Sequence, residues 1–316
     1  MEGKKHIILG AGGAITHALV QELLSHHEAV KLVSRRGFTL PGTESAKADL
    51  TGESEVGGVV EPSSLVYLLA GLPYNTAIWR EQWPVVMRNA IAACKAHNAS
   101  LIFFDNVYMY GRVHGPMKED TPMNPCSRKG EIRAQIAALL LSEAAGGNLR
   151  ALIARSADFY GPYARGSSVP MLLVLERLAK GNRPQWLSNA KALHSFTYTM
   201  DCGKALHLLS ETEGAYGQVW HLPTASPPIT GEEFISMAAR QFGVEGKYTV
   251  LGKWLIRLGG VFDKLVRETY EMIYQSEHDY VFDSSKFERQ FNFTPTPYEK
   301  GIAESVTFLR QGGRAK

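Results

Sequence analysis

Three glycines in the run IILGAGGAIT, Gly10, Gly12 and Gly13, follow a short apolar segment and precede a helical pattern directly. This feature restricts the fold more than any other in the chain. Glycine lets a backbone turn sharply and come close to a diphosphate, and the helix that starts there offers unpaired N–H groups to an anion. The spacing predicts a strand over His6–Leu9 and a helix over Ala14–Ser25, with Ile15, Leu19, Leu23 and Leu24 on one face. Gly10, Gly12, Gly13, Ala14 and Ile15 are therefore candidates for holding a dinucleotide. Thr16 stands where such turns end in a third small residue. Its β-branch predicts a helix set slightly farther from the strand.

The same alternation continues. Apolar or β-branched runs at Ala29–Val33, Ala46–Leu50, Ser64–Ala70, Ser100–Phe104 and Arg150–Arg155 read as strands. Trp79–His97 and Gly130–Ala145 read as helices. Strands alternating with helices predict an α/β fold, a Rossmann-type doubly wound parallel sheet. Beyond residue 156, prolines and glycines interrupt the pattern and predict short helices and loops. Residues 1–155 are expected to form a nucleotide-binding domain, rejoined by 190–220, and 156–316 a smaller C-terminal α/β substrate domain. Lys300–Arg310 is again helical, and GGRAK reads as a frayed tail.

The charge balance is 34 − 31 = +3 with no long basic run, which argues against nucleic-acid binding. No apolar run approaches the ~20 residues of a bilayer span. The apolar stretch after Lys4-Lys5 is short for a signal peptide and has no cleavage pattern. Cytoplasmic placement with no membrane partner is expected. Cys94, Cys126 and Cys202 are far apart and match no metal spacing, so reduced thiols and no metal site are expected. Trp186 and Trp254 are expected to pack in the interior.

The second predicted strand ends in Ser34-Arg35-Arg36, where an NAD site usually carries an acid for the ribose hydroxyls. Two guanidiniums and a hydroxyl suit a 2′-phosphate instead, which points to NADP(H) over NAD(H). The plainer alternative is a solvated basic turn. Asp49 and Leu50 are placed for the adenine edge, and Ala70-Gly71 for a close backbone approach to the cofactor.

Taken in order, GAGGAIT, ADLT, VYLLAG, DNVYMYG, Asn124-Pro125, Arg155 with FYGP at Phe159–Pro162, SFTYTMD and FNFTPTPYEKGIAESVTFLR resemble the extended short-chain dehydrogenase/reductases, the NAD-dependent epimerase/dehydratase family. The resemblance covers nearly the whole chain. It implies a Rossmann domain, a smaller substrate domain, a site in the cleft between them, and dimerisation through helices at Trp79–His97 and Gly130–Ala145. It also implies a Ser/Thr after the fifth strand and a Tyr-x-x-x-Lys for proton transfer. This chain departs from all three: Asn106, Cys126 and Gly130 fall at those positions, with Lys129 one residue out of register. A shift of one residue turns a helical side chain by about 100°. Tyr108, three residues before Gly111, falls where dehydratases of the family carry a catalytic acid, with packing as the equal alternative. Asn106 and Tyr110 would line the same space, and Asp105, Arg128 and Arg133 would order it. On the substrate side the resemblance points to Asp158, Tyr160 and His194. Asp158 replaces the usual Asn, with turn capping expected. His194 replaces an Arg that holds a nucleotide-sugar phosphate, and a histidine anchors a diphosphate less well.

Two functions follow as expectations. One is an NADP(H)-dependent oxidoreductase or epimerase acting on a small carbonyl or sugar-type substrate with a rearranged proton donor. The other is a non-catalytic NADP(H)-binding redox sensor or scaffold.

Overall fold

The computed structural model describes residues 4–312, so the tail expected beyond Gly312 lies outside the described residues. Along the chain run β1 (His6–Leu9), α1 (Ala14–Ser25), β2 (Val30–Ser34), β3 (Glu44–Lys47), α2 (Glu53–Val59), β4 (Leu65–Leu68), α3 (Thr76–Ala96), β5 (Ser100–Asp105), α4 (Arg128–Ala145) and β6 (Ala151–Arg155). Then follow β7 (Asp158–Tyr160), α5 (Glu176–Ala179), β8 (Gln185–Leu187), β9 (Leu193–His194), β10 (Phe196–Tyr198), α6 (Thr199–Glu211), β11 (Val219–His221) and β12 (Ile229–Thr230). The chain ends with α7 (Gly231–Phe242), β13 (Thr249–Leu251), α8 (Lys253–Phe262), α9 (Lys264–Tyr270), α10 (Ser285–Phe291) and α11 (Tyr298–Arg310). Among the described residues no helix is long and apolar enough to cross a membrane.

The seven-stranded sheet has the order β11-β6-β5-β4-β1-β2-β3, and the pairings from β3 through to β6 are parallel. The order reverses between β1 and β4. In open sheets of this kind ligands sit outside the carboxyl ends of the strands at such a switch point. The α/β doubly wound fold expected from the alternation is the fold observed.

The chain divides into two compact units. The first holds residues 1–109, 128–155 and 202–220; the second holds 110–127, 156–201 and 221–316. In the first unit, β1, β4 and β5 are buried on both faces, as covered parallel strands must be. On one face Leu9, Val66, Trp79, Met87, Phe103, Ile136 and Leu140 form a single core cluster. Elsewhere in the unit α6 lies against α1: a Cβ on Gly203 would stand 2.4 Å from the Ala18 carbonyl oxygen. In the second unit Tyr160, Tyr198, Phe234 and Tyr298 pack ring to ring.

Three local differences from the sequence expectation have physical reasons. The third strand lies at Glu44–Lys47, not Ala46–Leu50, because it is an exposed edge strand with the polar sequence ESAK, paired Lys31↔Glu44 to Ser34↔Lys47. Its expected end is instead a turn closed by Thr51 N and Oγ1 donating to Asp49 Oδ1 at 2.9 and 2.7 Å. The helix α2, unexpected with Gly57 and Gly58 inside it, is held by burial of Val56 and Val59. Trp186 is buried as expected, but Trp254 is 64% exposed.

Candidate functional site

The glycine turn has the geometry its sequence implies. Gly10 takes φ +82°, and a Cβ there would stand 2.4 Å from Ala70 Cα. Only glycine lets the ends of β1 and β4 meet this closely. Ala70 therefore supports the turn directly. Gly13 is the N-cap of α1, in extended backbone, with no side chain accepting from the helix's first turn and nothing within 4 Å of an added Cβ. A 12-residue helix thus begins without a side-chain cap on its first-turn donors. Ala14 and Ile15 follow in its first turn, both buried.

Thr16 does more than fill the small-residue position. It is buried, and its Oγ1 accepts from Gly12 N at 3.2 Å. The hydroxyl replaces a third glycine by bracing the turn from inside, which the expectation of a displaced helix did not include.

At the end of β2, Ser34 Oγ accepts from Phe38 N at 2.8 Å and closes the turn that carries Arg35 and Arg36, both exposed. The Phe38 ring lies 3.8 Å from where a Gly12 Cβ would be, so this turn approaches the glycine turn. Asp49 is half-buried. Its carboxyl is held below the usual range first by the Thr51 N–H and hydroxyl, and to a lesser degree by the Arg35 charge. Leu50 is partly buried against the core, and its carbonyl accepts from Asn89 Nδ2 at 2.9 Å. Gly71 is exposed, with nothing within 4 Å of an added Cβ.

After β5 the chain turns back on itself. Asn106 N donates to Asp105 Oδ1 at 2.8 Å, and Asn106 Oδ1 accepts from Tyr108 N at 3.0 Å. Asn106 thus fixes the turn that presents Tyr108. The Tyr108 ring is half-buried and stacked on Trp79, 6.3 Å between centroids and 14° between planes. Below it, Arg133 donates through Nε to Asp105 Oδ1 at 2.7 Å and pairs with the same oxygen through its terminal nitrogen; Arg155 Nε lies 3.8 Å from Asp105 Oδ2. All three side chains are buried. Of the expected ordering residues, Asp105 and Arg133 join, whereas Arg128 is exposed.

At the positions where the family motif would supply Tyr and Lys, Cys126 is exposed and Gly130 is buried in the first turn of α4. Lys129 is completely buried; its Nζ donates to Thr76 Oγ1 at 2.9 Å and lies 4.7 Å from the Tyr74 ring centroid.

The second unit holds the remaining candidates. Tyr110 is buried, with its hydroxyl 2.8 Å from His221 Nε2. The Tyr-Gly pair is needed for close packing: Gly111 takes φ +67°, and a Cβ there would stand 2.1 Å from the Asn124 carbonyl oxygen. Asp158, expected to cap a turn, meets His194 instead, Oδ2 to Nε2 at 3.0 Å. His194 is buried and sandwiched between Phe196 and Tyr280, with centroids 4.5 and 4.4 Å away. Its ring is thus engaged on both faces and at Nε2. Tyr160 has no exposed surface and sits inside the aromatic cluster, where burial pushes its hydroxyl well above its ordinary pKa. Of these three, Asp158 keeps the most exposed surface, with its side chain 31% exposed against 8% for His194.

Neither the Thr16 brace nor the Lys129–Thr76 contact was expected from sequence. The Gly12–Thr16 spacing of four residues is the one signal that reveals the first. The fold also gathers Glu22, His26 and His207, one potential ligand atom from each lying within 4.8 Å of the others. Sequence spacing cannot reveal that grouping, because His207 comes from α6.

Residues 6–222 match the model of the NAD dependent epimerase/dehydratase family. No curated protein matches the chain in sequence. Among solved structures, the UDP-glucose 4-epimerase of Thermotoga maritima with UDP-glucose superposes with a TM-score of 0.80 at 16% identity, covering 98% of this chain and 99% of that one. The UDP-glucuronic acid 4-epimerase of Bacillus cereus in complex with NAD gives 0.77 at 17% identity, covering 98% and 100%. The dTDP-glucose 4,6-dehydratase of Bacillus anthracis in complex with NAD gives 0.77 at 15% identity, covering 98% and 97%. Likeness at this level of identity establishes a common fold.

Proposed function

We propose that this chain, which belongs to the NAD dependent epimerase/dehydratase family, is an NADP(H)-dependent oxidoreductase or epimerase acting on a small carbonyl or sugar-type substrate through an atypical proton donor. One observation carries the nucleotide half of the reading. Gly10 closes against Ala70 while the uncapped N-terminus of α1 opens beside it. A diphosphate fits that cradle, because the first turn of α1 carries no side-chain cap and lies at the positive end of a helix, while Gly12 N is held by Thr16 Oγ1. Asp49 and Leu50 border the adenosine, and Ala70-Gly71 the strand of cofactor leading away from it. Structural relatives solved with NAD support a nicotinamide cofactor.

NADP(H) is favoured over NAD(H) by the turn after β2. Arg35 and Arg36 are exposed there, and Ser34 keeps its hydroxyl proton available while its oxygen accepts from Phe38 N. A guanidinium grips a phosphate with two parallel donors. The bound cofactor supplies hydride acceptance and donation.

Tyr108 is the proposed proton donor. The stack on Trp79 fixes the ring, and the Asn106 turn fixes its backbone. A phenol so positioned can give a proton to a carbonyl oxygen as it becomes an alcohol. The test is oxidation of NADPH followed optically against a panel of carbonyl compounds and nucleotide sugars. Turnover lost in Tyr108→Phe, with cofactor affinity unchanged, supports the reading. Equal turnover in that variant contradicts it.

The second reading, a non-catalytic NADP(H) sensor or scaffold, is favoured by Cys126 and Gly130, since neither can perform the family's usual proton transfer at those positions. It requires different affinities for the oxidised and reduced cofactor, because a ligand form without differential affinity shifts no equilibrium.

A further inference from the structure

Glu22, His26 and His207 each place one potential ligand atom within 4.8 Å of the others. All three belong to the first unit: Glu22 lies on α1, His26 is its C-cap, and His207 lies on α6. The packing of the two helices brings them together. Gly203 closes on Ala18, where an added Cβ would stand 2.4 Å from the carbonyl oxygen. One turn on from Gly203 comes His207, one turn on from Ala18 comes Glu22, and His26 follows after one turn more. The glycine contact that sets the distance between the helices therefore sets this group as well.

The geometry exceeds that of a surface ion pair. Glu22 Oε1 lies 3.2 Å from His26 Nε2. Zinc–nitrogen bonds of about 2.0–2.1 Å at tetrahedral angles put neighbouring ligand atoms about 3.3 Å apart. The His26 and His207 rings stand 4.3 Å apart between centroids, with 35° between their planes. His207 is buried, and among the described residues no hydrogen bond engages its ring. Its nitrogens are thus open to a cation. His6, with its ring centroid 6.4 Å behind His207, is committed elsewhere: Nδ1 lies 2.9 Å from the Tyr67 hydroxyl, and Nε2 lies 3.5 Å from Glu28.

The charges agree with a cation. Glu211, Glu22 and Glu28 all bring negative charge to His207, against the neighbouring imidazole of His26. Lys204 is the single Lys or Arg on the two helices, and it is exposed. The His26 and Glu22 side chains are 50% and 23% exposed, so an ion reaches the group from solvent and water completes its shell. Two imidazoles and one carboxylate with an open fourth position suit Zn2+. Mg2+ and Ca2+ prefer oxygen ligands throughout. The expectation of no metal site was drawn from the cysteines, and none of them takes part.

We propose that Glu22, His26 and His207 bind one zinc-type divalent ion, which ties the C-terminal end of α1 to α6. The 12 residues of α1 put this site about 18 Å from the glycine turn, so it is independent of the cofactor reading. The test is calorimetric titration of the full chain, without a histidine tag and freed of metal by chelator, with Zn2+ and with Mg2+. One equivalent of Zn2+ is expected to bind, and Mg2+ is expected not to. Co2+ in place of Zn2+ is expected to give the visible absorption of a four-coordinate ion. His207→Gln and His26→Gln are each expected to weaken Zn2+ binding at least about tenfold, since even outer-shell partners of a metal are worth 10- to 100-fold. His26 is exposed, so His26→Gln keeps the test open if the buried His207→Gln fails to fold. His27→Asn, at an exposed histidine outside the group, is expected to bind as the parent does. No Zn2+ binding by the unaltered chain overturns the proposal. So does Zn2+ affinity that stays unchanged in His26→Gln, because the ion then sits elsewhere.

Discussion

Lys129 Nζ donates to Thr76 Oγ1 at 2.9 Å and lies over the Tyr74 ring, fully buried one residue away from where a catalytic lysine would stand. The contact joins the start of α4 to the start of α3, whose N-cap Asn75 accepts from Ala77 N and Ile78 N. The lysine thus holds two helices together. Lys129→Ala is expected to lower unfolding free energy by about 2–4 kcal/mol, from the lost stem volume and the lost hydrogen bond to Thr76. Lys129→Met, which keeps the volume, should cost clearly less. Urea unfolding of both variants checks this. Unchanged stability in Lys129→Ala would remove the bracing role.

The Asp105 carboxylate is the shared counter-charge for Arg133 and Arg155, and Arg133 also lies 4.5 Å from the Trp83 ring centroid. Asp105→Asn is expected to cost about 3–5 kcal/mol, because breaking a buried pair leaves guanidinium charge uncompensated. The loss should appear in the urea midpoint with little change in slope.

Gly10 and Gly13 should respond differently to the same added methyl. In Gly10→Ala the Cβ meets Ala70 at 2.4 Å in a left-handed backbone, so the turn must rearrange. A stability loss of about 2–3 kcal/mol together with loss of dinucleotide binding is expected. In Gly13→Ala the methyl points into open space. Its melting temperature should stay close to the parent's, while dinucleotide affinity falls. Thermal melts with and without cofactor separate the two outcomes.

His6 is 1% exposed, 2.9 Å from the Tyr67 hydroxyl, and burial holds its pKa down to about 4 despite the Glu28 carboxylate 3.5 Å away. The folded pKa lies below the unfolded value of about 6.5, so the unfolded chain takes up the proton first on acidification. Stability is therefore full above pH ~6.5 and falls as the pH drops toward ~4, by about 3 kcal/mol from this group. Unfolding free energies measured across that range should lose this slope in His6→Gln.

Much of the first unit was legible in the sequence, because covered parallel strands and one-sided helices leave strong periodic signals. The helix at Ala14–Ser25 and the strand at His6–Leu9 fall where expected. Signals fail where burial is partial or partners are remote. The edge strand Glu44–Lys47 carries no apolar run, and β11 is only three residues long. The Asp158–His194 pair joins residues 36 apart, and neither residue type announces the other. Trp254 was expected inside because tryptophan usually packs, yet α8 turns it outward.

Calorimetric titration of the purified protein with NADP+ and with NAD+, repeated on Arg35→Ala, tests the nucleotide assignment most directly. NADP+ is expected to bind more tightly than NAD+ by about 10- to 100-fold, the worth of a charged phosphate contact, with that preference largely lost in Arg35→Ala and NAD+ affinity unchanged. Binding of neither dinucleotide at millimolar concentration, or tighter binding of NAD+, would contradict it.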